Sequence, residues 1–198
     1  MMEETPEFEF TIRPQSDVAL AQYVIYFTGL ARCWDDELAD EKQVGEIDGV
    51  RIDIAAAEVD GLNIDEIIES VSPELAEFRA KAFKDGKCLL PNKNNQLSEC
   101  ESLVFIDRLY IEPEFRGRGL GSELMRRMSQ MIDVENALIG LKAYPLKEEY
   151  DSVRSPESVQ KVRNFYAKLG FKYYGDDFMK KNGYECYAIK KRIKYRSK

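Results

Sequence analysis

The residues best suited to chemistry are the run Arg116-Gly117-Arg118-Gly119-Leu120-Gly121, set between an apolar stretch that ends at Pro113 and a periodic stretch that begins near Ser122. Glycines at a helix start leave main-chain NH groups bare, and the helix dipole adds positive potential at the same point, so the run reads as an anion site. Arg116 and Arg118 add charge-assisted donors. A dinucleotide fingerprint starting at Gly117 would need a glycine where Ser122 stands, and a nucleoside-triphosphate loop would need Lys-Ser or Lys-Thr after its last glycine. Both patterns fail, and the spacing that remains is Arg-x-x-Gly-x-Gly.

That spacing resembles the signature of the GNAT superfamily of acetyl-CoA-dependent N-acetyltransferases, (Arg or Gln)-x-x-Gly-x-(Gly or Ala), met here by Arg116, Gly119 and Gly121. Residues 164–171 (NFYAKLGF) are similar to the family's second block, Phe-Tyr-x-Lys-x-Gly-Phe, and follow in the right order. The resemblance implies acetyl-CoA as cosubstrate, its pyrophosphate held by Arg116, Gly117, Arg118, Gly119, Leu120, Gly121 and Ser122. It also implies that the backbone of Leu109, Tyr110 and Ile111, in a strand splayed from its neighbour, pairs with pantetheine. The implied fold is α/β, a GNAT-type mixed and mostly antiparallel sheet flanked by helices with splayed central strands, in a single acyltransferase domain over 1–198 whose core motifs span 103–171. Two features depart from the family: Val159 and Val162 stand where an asparagine and an alanine are usual, and the longest early helical stretch, 64–83, precedes the glycine-turn strand instead of following the first strand.

Acetyl transfer to an amine needs a proton for the departing thiolate and an acceptor for the proton of the ammonium. Tyr166 matches the family tyrosine that faces the CoA sulfur, and a phenol of ordinary pKa about 10 can donate to a thiolate. Its helical spacing with Val159, Val162 and Leu169 equally suits a core residue. Asp107 interrupts an apolar strand and is the candidate base; simple alternation places it on the face of Leu109 and Ile111, and a bulge would change that facing. Pairing of Asp107 with Arg108 or Lys142 is the competing reading, and Glu112 and Glu114 read as solvated.

Histidine is absent, which removes Ser-His and Cys-His nucleophiles and histidine metal clusters, and no metal site is expected. Net charge is -7, a field that suits a cationic small-molecule or peptide amine and disfavours nucleic acid as partner. The basic tail 190–198 is the exception, and an RNA-directed acetyltransferase would use it to dock. A CoA-binding sensor or partner module without turnover would keep the same glycine turn, and a homodimer is allowed. The N-terminus lacks a secretory pattern and no run is long enough for a membrane span, so a cytoplasmic protein is expected. Cys33, Cys88, Cys100 and Cys186 are scattered and form no CxxC, so they read as buried or idle thiols.

The elements that must position these residues follow from periodicity. Phe8, Phe10 and Ile12 alternate up to Pro14 as a strand; 23–27 reads as a second; Val50, Ile52 and Ile54 follow an expected Asp48-Gly49 turn as a third. Helical spacing over 64–83, broken by Pro73, gives two short helices or one kinked one. Residues 91–101 read as an exposed loop, 103–111 as the strand before the glycine turn, 138–143 as another strand, 156–169 as a helix closed by Gly170, and 184–189 as the last strand.

Overall fold

A computed structural model of the chain describes residues 6–35, 39–91, 96–145, 155–183 and 185–186. The opening alternation forms β1 (Glu7–Pro14), antiparallel to β2 (Val24–Asp35). β3 (Asp40–Asp53) runs antiparallel to β2 and passes straight through Asp48-Gly49, so the expected turn there is absent. The physical reason is close approach: the Phe27 ring and the Phe105 carbonyl occupy the place a side chain at 49 would need. Ile54, expected to extend the strand, instead opens α1 (Ile54–Val59), because Asp53 accepts the Ala56 amide at 3.0 Å and caps the helix.

The stretch 64–83 is two helices. α2 (Ile64–Val71) is capped by Asn63, and α3 (Pro73–Ala82) by Ser72, whose hydroxyl accepts from the Leu75 amide at 3.1 Å while Pro73 fits the first turn. Part of the segment expected as loop pairs instead, as β4 (Leu89–Pro91) with β5 (Leu97–Glu99). β6 (Ser102–Ile111) leads through a short 3-10 turn, Pro113–Phe115, into α4 (Leu120–Met131) and back to β7 (Ala137–Lys142), which is parallel to β6. α5 (Pro156–Lys168) has Ser155 as its cap. It is followed by a hairpin that periodicity did not show, β8 (Lys172–Gly175) and β9 (Phe178–Asn182), joined by Asp176 and Asp177 at positive φ. β9 is the last strand described; Glu185 and Cys186, expected in a strand, are helical, and the rest of 184–189 and the basic tail lie outside the described residues.

The sheet order is β1-β2-β3-β6-β7-β9-β8, with one parallel pair, so the sheet is mixed and mostly antiparallel, as expected. Two apolar layers cover it. On one face α1 to α3 pack over Val50, Ile52, Leu103 and Leu138, around the rings of Phe78, Phe105 and Phe178 with centroids 5.6 to 6.4 Å apart. On the other, Leu124 and Met128 of α4 and Tyr166 of α5 pack with Val104, Ile106 and Ile139. Among the described residues no helix is long and apolar enough to cross a membrane. Phe78 is fully buried at the centre of its layer, so Phe78→Ala is expected to lower unfolding free energy by about 3–5 kcal/mol in urea melts with an unchanged m-value.

Candidate functional site

The site is organised by a slip in β6. Leu103 and Phe105 face the layer under α1 to α3, while Val104 and Ile106 face α4 and α5. Past that point Leu109 and Ile111 also pack toward α4 and α5, so the alternation shifts by one residue. The cause is a bulge: Asp48 pairs with Arg108 and Gly49 with Ile106, which leaves Asp107 as the extra residue. Asp107 therefore does not share the face of Leu109 and Ile111, and the simple alternation is corrected.

The same level is where β6 and β7 part. Their last partners are Ile106 and Leu141, whereas β6 continues along β3 to Ile111. From 107 to 111 the edge of β6 that faced β7 has no strand beside it among the described residues, and the Ile111 carbonyl at its end accepts from Arg116. Both competing partners of Asp107 are engaged elsewhere: Arg108 Nε lies 3.0 Å from Glu46, and Lys142 lies 3.7 Å from Glu77. Although Asp107 meets solvent, the protein around it strips away enough water to raise its carboxyl to about pKa 6, with Asp48 and then Glu74 adding like charge. Asp48 is itself held by the Thr28 hydroxyl, which donates to it at 2.7 Å.

Gly117 and Gly119 both adopt left-handed backbone, at φ 76° and 84°, and Gly119 is the N-cap of α4. No atom lies within 4 Å of where their side chains would be, so it is conformation that demands glycine here, and the same openness lets a ligand reach the main chain. α4 starts at Leu120 rather than Ser122, and no side chain caps it. Glu123, the acidic residue of its first turn, turns away to Arg126 and Arg127, which hold its carboxyl down at about pKa 2, so it does not cover the amides. Arg116 donates to the Ile111 carbonyl at 2.8 Å and Arg118 to the Glu114 carbonyl at 3.1 Å, so both guanidiniums are folded over the turn. Gly121 differs: it is buried, and a side chain there would meet Phe165 at 3.2 Å, so its smallness lets α4 sit close to α5. Glu112 accepts from the Tyr110 hydroxyl at 3.2 Å and Glu114 pairs with Lys42 at 2.8 Å, so neither is simply solvated.

Tyr166 lies on the α4 and α5 side, edge-on to Phe165 and Phe171 at 5.1 and 5.8 Å. Burial pushes its phenol well above the usual value, which keeps it protonated and a donor. Asp107 and Tyr166 are thus on opposite faces of the sheet, and the structure does not put them in contact. Sequence reading missed Asp48, Glu74 and Thr28 around Asp107, since they come from β2, β3 and α3 and no local spacing links them.

Residues 84–173 match the family model described as an acetyltransferase (GNAT) domain. The match covers less than half of the chain and is a similarity to that family. The matched segment takes in β6, the glycine turn, α4, Asp107 and Tyr166. No curated protein matches the chain. Solved structures similar to it include the KacTA–DNA complex (12% identity, 93% of this chain and 99% of that chain, TM-score 0.46) and AtaTR bound with AcCoA (11%, 92% and 98%, 0.41). Arabidopsis thaliana NAA60 in complex with a bisubstrate analogue is a third (12%, 88% and 95%, 0.38). At these values the likenesses carry no argument about this chain. The Tyr166 hydroxyl donates to no protein acceptor among the described residues. Tyr166→Phe is accordingly expected to change unfolding free energy by less than about 1 kcal/mol, measured by urea denaturation.

Proposed function

We propose that the chain moves an acetyl group from acetyl-CoA to an amine by direct transfer through a tetrahedral intermediate, as one domain acting in the cytoplasm. The observation that carries this reading is the bare first turn of α4, opened by Gly119 and set at the end of the unaccompanied half of β6. The amides from Gly119 to Ser122 suit a pyrophosphate, with Arg116, Gly117 and Arg118 beside them, and the edge of Leu109, Tyr110 and Ile111 suits the amides of pantetheine. A main-chain NH of that edge would polarise the thioester carbonyl. Asp107 takes the ammonium proton from the other side of the sheet, directly or through water, the freed amine nitrogen forms the new C–N bond at the thioester carbonyl carbon, and the tetrahedral intermediate collapses as the C–S bond breaks and Tyr166 donates to the leaving thiolate. Asp48, Glu74 and Asp107 make that entrance negative, which favours a cationic small-molecule or peptide amine. A second copy of the chain as partner belongs to the same proposal.

Calorimetry with acetyl-CoA is the first test: the reading expects micromolar binding that Gly119→Val weakens about tenfold or more, since a β-branched residue resists left-handed backbone. Failure to bind acetyl-CoA at millimolar concentration would remove the assignment. For turnover, Tyr166→Phe should keep cofactor affinity and slow kcat. The base predicts a pH limb: as pH falls through about 6, Asp107 takes up a proton and kcat/KM drops. Asp48→Asn should move that limb downward by removing a like charge, and Asp107→Asn should abolish it with a loss on the order of 10²-fold. A limb unmoved in Asp107→Asn would assign the base elsewhere.

A further inference from the structure

Cys88 and Cys100 stand outside the candidate site and independent of the acetyl-transfer reading. They flank β4 and β5 at the open end of that ladder: Leu89 pairs with Glu99, so the next residues outward are Cys88 and Cys100. The Cys100 amide donates to the Cys88 carbonyl at 2.8 Å, which extends the antiparallel pairing to the two cysteines. Facing residues in such a ladder have Cα atoms about 4.5–5.5 Å apart, within the roughly 4.4–6.8 Å that a disulfide spans. Both side chains turn into the layer under α1 to α3, at 6% and 7% exposure. The surrounding frame is tied down: Cys100 Sγ donates to the Ser102 carbonyl at 2.9 Å, Asn182 donates to the Pro91 carbonyl at 2.6 Å, and Lys87 pairs with Glu99.

We propose that Cys88 and Cys100 are a dithiol modification site, closed by hydrogen peroxide into an intramolecular disulfide that staples the hairpin at the entry to β6. The two sulfurs are not equivalent. The neighbouring Cys100 thiol, and then the positive charges of Lys180 and Arg79, lower the pKa of Cys88, whereas Cys100, whose thiol donates to the Ser102 carbonyl, is raised. Cys88 is therefore the attacking thiolate: its sulfur takes one oxygen of the peroxide, the O–O bond breaks, and hydroxide leaves to give Cys88 sulfenic acid. Cys100 sulfur then attacks the sulfenic sulfur, the S–O bond breaks, and the hydroxyl leaves as water with the Cys100 proton. Two thiols are oxidised and one peroxide is reduced to two waters. A small oxidant suits thiols this deeply covered, and because the resolving thiol faces Cys88 across the ladder, the disulfide forms ahead of further oxidation of Cys88.

The experiment uses the full chain with Cys33→Ser and Cys186→Ser, which leaves only the pair. After peroxide, denaturation, alkylation and non-reducing peptide mapping, the expected result is a Cys88–Cys100 linked peptide, lost on treatment with dithiothreitol. The oxidised protein should melt on the order of 5–10 °C higher, because the bridge closes a short loop and removes denatured-state freedom. Adding Cys100→Ser should leave Cys88 sulfenic acid to be trapped by dimedone, at several times the level seen with Cys100 present. Two results would overturn the proposal: both thiols still alkylated after peroxide, or Cys88 driven to sulfinic acid with Cys100 still free. Equal dimedone trapping with and without Cys100 would do the same.

Discussion

A strand in the middle of a sheet ordinarily has a hydrogen-bonding neighbour on both edges, because an unpaired main-chain group away from water costs as much as a lost hydrogen bond. β6 obeys this only as far as Ile106. Beyond it β3 still accompanies the strand while β7 ends, and the rest of the molecule is arranged to keep that half-paired stretch in place. Leu109 and Ile111 are anchored in the layer of Leu124 and Met128, so the strand cannot swing back toward β7 without exposing apolar surface. Arg116 ties the far end by donating to the Ile111 carbonyl.

The bulge at Asp107 gives the two faces of this stretch different characters. One face is apolar and holds α4 and α5, with Gly121 and Phe165 setting how closely they approach. The other carries Asp107 beside Asp48 and Glu74, where partial dehydration and like charge make protonation easier than for an ordinary aspartate. The buried phenol of Tyr166 lies on the first side and the raised carboxyl of Asp107 on the second.

Electrostatics are equally local. A chain of net charge -7 still presents a positive point where α4 begins, since the first-turn amides are uncapped and Glu123 is held by Arg126 and Arg127. Outside that region, the hairpin leading to β6 brings together Cys88 and Cys100, which are twelve positions apart in the chain and read singly as inert.

Local physics was enough for much of this protein. The strand before the turn, the glycines needing left-handed backbone, the break at Pro73 and the helix from Pro156 each depend on residues a few positions apart, and each was legible in the amino-acid order. The two motifs that resemble the GNAT signatures lay in the same stretch. What the order could not decide depends on partners distant in the chain. Gly49 looks like a turn residue until Phe27 and Phe105 are seen crowding it; Asp107 faces away from Leu109 because β3 and β6 differ by one residue; β8 and β9 pair where no clean alternation announced them. Register and close approach are properties of two strands at once, so only the folded chain could settle which face Asp107 occupies and which thiols meet.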